Sequence, residues 1–320
     1  MKSTQVIAVI VVFQPELEAL YQLVLATAEQ VEGIVIVNNS PKVSLNDLLQ
    51  AADTPIHLIT LEENMGIAYA QNIGIEWAIS QNAQYVLLLD QDSTPLPGMV
   101  QTLAKSFDCN SMVIAAGPQY QDFRTGVKSR FMVERFGLPY RLLPKNSDRN
   151  KKSLAVKFLI SSGCLINLDK LLKIGGMRSN YFIDHVDTEW CLRAINSGYV
   201  LLGCPNALMQ HTLGDQAKKV WFIYTRNISQ HSPLRDYYMF RNTLLMLRDT
   251  KAKFAWRTFL VLRLFQFLIY FSLFSAAPLQ RLKMMLLGIK HGLQNKRGQL
   301  DPNLHCCVII PPTPLDPQVH

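Results

Sequence analysis

The chain has 320 residues, 49% of them hydrophobic, and a formal net charge of +8; its mean hydropathy is slightly positive, with the apolar excess near the C-terminus. That is enough chain for one large domain or two smaller ones, and the basic balance favours an anionic partner such as a nucleotide, a nucleic acid or a phospholipid surface. No Lys/Arg run interleaved with aromatics occurs, which disfavours a nucleic-acid track. The six cysteines, at 109, 164, 191, 204, 306 and 307, include no CxxC pair and read as reduced thiols of a cytosolic protein.

The opening MKSTQVIAVIVVF carries one lysine and an apolar run but no small-residue cleavage site, so residues 6–13 read as a buried strand and not as a signal peptide. Its β-branched continuity, ended by Gln14-Pro15, is that of a strand covered on both faces. A helix is expected over 16–30, a strand over 33–40, a helical stretch over 45–52 and a strand over 56–61. Residues 64–80 read as a loop feeding a helix, and YVLLLD at 85–90 is a fourth strand. This alternation with short connections predicts an α/β fold with a parallel, doubly wound sheet, whose ligand edge lies beyond the carboxyl ends of the strands. Asn38, Asn39, Asn64, Asp90 and Asp92 all fall at such ends. No GxGxxG follows the first strand and no GxxxxGK[ST] occurs, which disfavours an NAD enzyme and a P-loop NTPase.

After Gly98 come a helix and a strand over 112–118. The basic stretch 119–152 reads as loop-rich and mobile. Residues 156–177 read as a strand and then a helix ended by Gly175-Gly176, and the final PPTPLDPQVH reads as a disordered tail.

Two acidic clusters stand out. In LLLDQDS, the carboxylates Asp90 and Asp92 close the fourth strand; alone they are either a solvated strand end or a metal site. In YFIDHVDTEWCLRA, Asp184, Asp187 and Glu189 sit among apolar and aromatic residues, and Asp187 or Thr188 is the expected N-cap of the following helix. Glu189 and Arg193, spaced i, i+4, can simply pair. The drier surroundings of Asp184 and Asp187 raise a carboxylate's pKa and suit it to general-base work. His211 alone is more often a satisfied histidine than a ligand, although a histidine and a carboxylate on different loops can share a divalent cation.

Taken in order, VVFQP, VIVNNS, NMGIAYAQNIGI, LLLDQDS, SSGCLIN, YFIDHVDTEWCLRA, H-x-x-G and RDYYMFRN resemble family 2 glycosyltransferases, in particular the bacterial rhamnosyltransferases that build cell-surface polysaccharide. The resemblance covers roughly residues 6–242 and rests on order and spacing, since a DxD triplet alone is common. It implies a GT-A fold: a Rossmann-like, mostly parallel sheet flanked by helices, with the nucleotide-sugar at the strand ends. It also implies that Asp92 ligates a divalent metal, Mg²⁺ or Mn²⁺, with His211 completing the site, and that Asp90 faces the ribose or a metal-bound water. Asn39 stands where relatives often have an aspartate against the base, Asn64 and Gly66 lie along the nucleoside, and Ser162 and Gly163 line the donor-sugar pocket. Asp187 matches the catalytic base, with Glu189 beside it to position the acceptor. For RDYYMFRN, ordinary helix packing is weighed against contact of Arg235 or Arg241 with a diphosphate on the donor or on a lipid-linked acceptor.

The segment 259–279 is as long as a membrane span yet contains Arg263 and Gln266 and ends at Pro278. The following stretch places Leu282, Met285, Leu286, Ile289 and Leu293 on one face, with Arg281, Lys283 and Lys290 elsewhere. A basic amphipathic helix after an apolar one predicts a hairpin lying on the anionic inner leaflet; packing on the catalytic domain or in a homo-oligomer is the alternative. The expected division is 1–245 as the GT-A domain, 246–300 as the helical extension and 301–320 as the tail. The expected activity is inverting, metal-dependent transfer of a sugar to a polyprenyl-diphosphate-linked saccharide, with L-rhamnose from dTDP-L-rhamnose as the expected donor. A nucleotidyltransferase of similar fold and a non-catalytic membrane-attached binding module are the alternatives, although VVFQPELEAL lacks the glycine-rich basic loop of the former.

Overall fold

The apolar run after Gln5 forms β1 (Val6–Val12), with all seven residues buried. In this computed structural model, the described residues are 5–40, 42–122, 126–144, 153–211, 217–222, 224–229, 232–275, 277–301 and 304. Strand β1 pairs in parallel with β2 (Gly33–Asn38) on one side and with β4 (Tyr85–Asp90) on the other, and β3 (Ile56–Thr60) extends the parallel set beyond β2. Because successive side chains of a strand point to opposite faces, β1 feeds two cores. Ile7, Val9 and Val11 face the layer of α2 (Ile67–Ser80), and Val6, Ala8, Ile10 and Val12 face that of α1 (Leu17–Ala28).

Beyond β4 the sheet is mixed. Strand β10 (Cys164–Asn167) runs antiparallel to both its neighbours, β4 and β6 (Val113–Asp122), and β6 pairs in parallel with β11 (Val200–His211). The order is β3-β2-β1-β4-β10-β6-β11-β5, where β5 (Ser93–Pro95) is an antiparallel edge strand and β9 (Leu154–Val156) adds onto β11. Helix α3 (Met99–Ser106) joins the α1 layer. Helices α4 (Leu168–Ile174) and α5 (Val186–Asn196) contribute to the α2 layer.

Several expectations change. The region 119–152 holds a hairpin, β7 (Phe131–Arg135) with β8 (Leu138–Leu142), turned by Phe136-Gly137, both at positive φ; residues 123–125 and 145–152 lie outside those described. The stretch near 45–52 is a short 3₁₀ turn, Asn46–Gln50. The N-cap of α5 is His185, in the left-handed region, and not Asp187 or Thr188. Strand β12 (Ala217–Phe222) pairs antiparallel with β13 (Tyr224–Ser229).

The C-terminal helices α6 (Pro233–Asp249), α7 (Phe254–Phe274) and α8 (Pro278–Leu293) follow. Helix α6 runs unbroken through the expected 245/246 boundary, and α8 packs along it. The face that α8 buries is not the one its sequence pattern indicated: Met284, Met285, Gly288 and His291 are buried, whereas Leu286 and Leu293 are exposed. Arg281 is buried as well, in an ion pair with Asp236 of α6 at 2.6 Å and beneath the ring of Phe271 of α7. Most of α7 is uncovered, including Leu262, Phe265, Ile269 and Leu273. The proline-rich tail expected at 301–320 lies outside the described residues except for 301 and 304.

Candidate active site

The parallel strands deliver their carboxyl ends to one edge, and β4 ends there at Asp90. The turn into β5 carries Asp92, which is exposed, while Ser93 on β5 is buried. Edge strand β5 pairs with the end of β11 so that Ser93 opposes His211. A chain of hydroxyls links these parts: the Asp90 N–H donates to Ser162 Oγ at 3.0 Å, Ser162 and Ser93 Oγ atoms lie 2.6 Å apart, and Ser93 Oγ is 2.7 Å from His211 Nδ1. Asp92 Oδ1 is 3.5 Å from the same nitrogen. Asp92 and His211 are thus brought together, with His211 held by Ser93 through one ring nitrogen.

Asp187 lies in the first turn of α5, and its charge acts on Asp90. Burial, then the charges of Asp92 and Asp187, push Asp90 up to about 7. Asp187 is itself pushed up to about 6, chiefly by burial; N–H and hydroxyl hydrogen bonds from Thr188 to Oδ1 work the other way. A buried carboxylate raised by two neighbouring carboxylates describes a place short of positive charge.

That observation tests the fit of a divalent cation. Asp92 offers a carboxylate with no hydrogen-bond donor on it among the described residues, and His211, held at Nδ1, keeps Nε2 as its other ring nitrogen. The carboxylate oxygen suits Mg²⁺ or Mn²⁺, and the imidazole nitrogen favours Mn²⁺, the softer of the two. Among the described residues no group of three His, Cys, Asp or Glu forms a complete cage, so a cation held by Asp92 and His211 would need further ligands from outside this pair.

The loop before Asp187 is strained and clamped. Phe182, Asp184 and His185 all adopt positive φ, at 66°, 64° and 61°, which costs non-glycine residues of order 1–3 kcal/mol each. Helix α6 holds them there. Arg235 donates Nη2–H to Asp184 Oδ1 at 2.6 Å and Nε–H to Oδ2 at 3.2 Å. Asn242 donates through Nδ2 to the carbonyls of Tyr181, Ile183 and Asp184, Arg241 donates Nη2–H to Tyr181 O, and Thr243 Oγ1 meets His185 Nε2 at 2.9 Å. The role of RDYYMFRN is therefore to fix the loop that presents Asp187.

This corrects several residue assignments. Arg241, 1% exposed and committed to the carbonyls of Tyr181 and Gly298, is a structural clamp without access to a diphosphate. Glu189, fully buried, accepts from Arg178 Nε at 2.7 Å and from Arg193 Nε and Nη2 at 3.0 and 2.9 Å. It cannot meet an acceptor, and the local Arg193 pair foreseen from spacing is the role it has. Asn39 and Asn64 bind each other at 2.9 Å, while Asn39 Oδ1 accepts from Met65 N and Asn64 Oδ1 from Gly66 N. They shape the loop at the strand edge, with Asn39 itself buried. Gly66, at φ 82°, lies against Phe182, where a Cβ would sit 2.6 Å from its carbonyl oxygen. Its lack of a side chain brings α2 against the strained loop. Ser162 is buried beneath the cluster as part of the hydroxyl chain, and it also lines a cavity with Tyr120, Arg130 and Ile160. Gly163, at φ 79°, makes room for Pro118 and Met209. The sequence reading missed Asn242, Thr243, Ser93 and Arg178; for Asn242 the adjacent RDYYMFR motif was the available signal.

A mixed sheet of this order, with acidic groups at the carboxyl edge of its parallel half and a second acidic loop across from them, defines a GT-A nucleotide-sugar transferase. The chain belongs to glycosyl transferase family 2, whose family model matches residues 8–175. It is 35% identical over 250 residues to the dTDP-rhamnosyl transferase RfbF of Shigella flexneri, across 77% of this chain and 81% of that protein. Solved structures share the fold at lower identity. TarS residues 1–349 of S. aureus in complex with UDP-GlcNAc superposes with a TM-score of 0.60 at 14% identity, over 91% of this chain and 81% of that one. GalNAc-T7 with UDP, GalNAc and Mn²⁺ gives 0.55 at 14% identity over 76% of this chain, which spans about half of it (51%). The protein is a glycosyltransferase.

Proposed function

We propose that the protein is an inverting, metal-dependent rhamnosyltransferase. In this reading it moves L-rhamnose from dTDP-L-rhamnose onto a polyprenyl-diphosphate-linked saccharide in O-antigen or related polysaccharide synthesis, on the inner face of the cell membrane. The donor follows from the likeness to the Shigella flexneri enzyme. The observation that carries the mechanism is the half-buried Asp187, raised to about 6, on a loop clamped by α6 where its charge acts on Asp90.

Asp187 accepts the proton of an acceptor hydroxyl as that oxygen attacks the anomeric carbon. The new C–O bond forms as the bond from that carbon to the diphosphate oxygen breaks, and dTDP leaves with the electron pair. Attack opposite to the leaving group inverts the configuration. Asp92 and His211 would hold a divalent cation, which when bound would neutralise charge on the leaving diphosphate. Asp90 orients the ribose side, and the clamp from Arg235 and Asn242 keeps Asp187 aimed. Membrane attachment is supported by the uncovered apolar length of α7 and by Lys283 and Lys290 on α8.

The test is Asp187→Asn, assayed with dTDP-L-rhamnose and a lipid-linked acceptor. Transfer falls by about 10²–10⁴-fold, while Mn²⁺-dependent donor binding persists. Equal transfer by wild type and variant removes Asp187 as the base.

A further inference from the structure

The hairpin of β7 and β8 ends in a turn that its residues do not favour. Arg135 pairs with Leu138, so the turn consists of Phe136 and Gly137, at φ 52° and 76°. Such a turn takes Asn-Gly or Gly-Gly readily, whereas a bulky aromatic at positive φ is strained. Burial within the chain does not offset that strain, because Phe136 is 91% exposed. The Arg135 guanidinium lies over its ring, 5.5 Å from the centroid, and over that of Tyr140 at 5.8 Å. The base of the hairpin is held firmly. Phe131 belongs to the core, Val133 packs against it, and the Lys157 N–H donates to the Met132 carbonyl at 2.7 Å. A fixed ribbon therefore presents a strained, uncovered aromatic at its tip.

The surroundings of the tip say what can cover it. Strand β8 packs on α7, and Lys253, the N-cap of α7, donates Nζ–H to Glu134 Oε1 of β7 at 3.0 Å. Phe254, the first residue of α7, is 83% exposed, and the helix continues largely uncovered and without an Asp or Glu. Residues 126–144 carry Lys128, Arg130, Arg135 and Arg141 against Glu134 alone. Lys157 also approaches Glu134, at 3.6 Å, so the one acidic group is matched from two sides. This part of the surface is apolar where it projects and cationic behind. A projecting ring backed by an arginine, with Leu138 and Tyr140 exposed beside it, matches a bilayer: the ring enters the acyl region while the guanidinium stays among the headgroups. The excess of cations complements anionic lipid.

We infer that the β7–β8 hairpin is a membrane-inserting element, which places Phe136 among the acyl chains of an anionic bilayer and Arg135 at its phosphates. This rests on the membrane attachment proposed above and adds an anchor outside α7. The full chain is titrated with vesicles containing phosphatidylglycerol and, separately, with dTDP plus Mn²⁺. Phe136→Gly binds the vesicles about tenfold more weakly, yet its Tm holds or rises, because glycine adopts the positive φ without strain. A ring needed for packing would lower the Tm instead. Phe136→Trp binds as wild type does, and brominated acyl chains quench the fluorescence it adds. The dTDP affinity is the same in all three proteins. Equal vesicle binding by wild type and Phe136→Gly overturns the inference alone, as does a fall in Tm or an added fluorescence that brominated lipid leaves unquenched. A change of oligomeric state in Phe136→Gly at unaltered vesicle affinity assigns the tip to a second copy of the chain and overturns it too. Wild type that binds no vesicles overturns it together with the membrane attachment, while the Asp187→Asn result stands.

Discussion

Arg235 grips Asp184 at both carboxylate oxygens, 2.6 and 3.2 Å away, and Asp184 sits at φ 64° in the loop that leads to Asp187. An arginine weighed in the sequence between helix packing and a diphosphate contact holds a strained turn next to the proposed base. Arg235→Gln removes the fork, and because a misplaced base costs rate far more than it costs binding, kcat falls by about 10–100-fold. The donor Kd measured by calorimetry stays within about twofold, since the lost contact is not with the donor. Arg235→Lys recovers only part of kcat, because one ammonium cannot span both oxygens as the planar fork does. A large rise in donor Kd with kcat preserved would return Arg235 to the nucleotide.

Asn242 is the second half of the clamp. It is fully buried, and its amide serves three carbonyls, those of Tyr181, Ile183 and Asp184, at 2.9, 2.7 and 3.0 Å. Asn242→Ala leaves those oxygens without this donor and lowers folding stability by about 2–3 kcal/mol. Asn242→Asp is worse than Ala, because a carboxylate then faces carbonyl oxygens. Denaturant midpoints at constant m-value give the order wild type, Ala, Asp.

The buried Glu189 makes a contrasting case. Two arginines converge on it, and Arg178 continues to Asp249, Nη1 to Oδ2 at 3.7 Å, so the cluster ties α5 to α6. Glu189→Ala removes the carboxylate shared by two half-buried guanidinium groups, which keep Asp249 and the carbonyls of Ile174, Gly175 and Gly176 as partners, and costs about 1–3 kcal/mol. Activity per folded molecule, measured well below the shifted Tm, remains near that of wild type. A specific loss of kcat without loss of stability would restore Glu189 to the site.

The parallel half of the sheet was legible because each strand is a β-branched run cut by polar residues, and β1 to β4 fall where the pattern puts them. The antiparallel β10 was not, since a short apolar run carries no direction and only its neighbours in the fold decide it. The β7–β8 hairpin was hidden by its many charges, because it is a half-exposed ribbon with little alternation to read. Among site residues, Asp90, Asp92, Asp187 and His211 could be nominated from type and position. Arg241 and Glu189 were misread for one reason: a charged residue inside a motif looks functional, and only burial with a full set of partners shows it to be internal.

The titration of Asp187 sets the acid side of the activity profile. Burial raises it to about 6, above the ordinary value for an aspartate, so the basic form is lost as pH falls through about 6 instead of near 4. The kcat/KM measured at saturating metal rises with pH and levels off above about 7, with an ascending limb near 6. Thr188→Val removes the hydroxyl hydrogen bond that favours the ionised form, although the backbone N–H bond remains, and moves that limb to higher pH. A limb that stays near 4 in wild type would mean that the observed base is a solvated carboxylate and not Asp187.

The uncovered side of α7 makes the last prediction. Leu262, Phe265 and Leu273 are exposed on a 21-residue helix that contains no Asp or Glu, and α8 beside it carries Lys283 and Lys290. Apolar area inserted at the interface and basic groups near anionic headgroups add, the latter at about 1 kcal/mol per cation at low salt. The full chain therefore cosediments with vesicles containing phosphatidylglycerol and is partly released as salt rises, while Lys283→Gln with Lys290→Gln binds more weakly and loses most of the salt dependence. Leu262→Glu with Leu273→Glu releases the protein at every salt concentration without changing dTDP affinity, because neither position lines the acidic edge. Binding that survives both glutamates would assign this helix to a second copy of the chain, and the oligomeric state of the same variant, measured by sedimentation, reads that out directly.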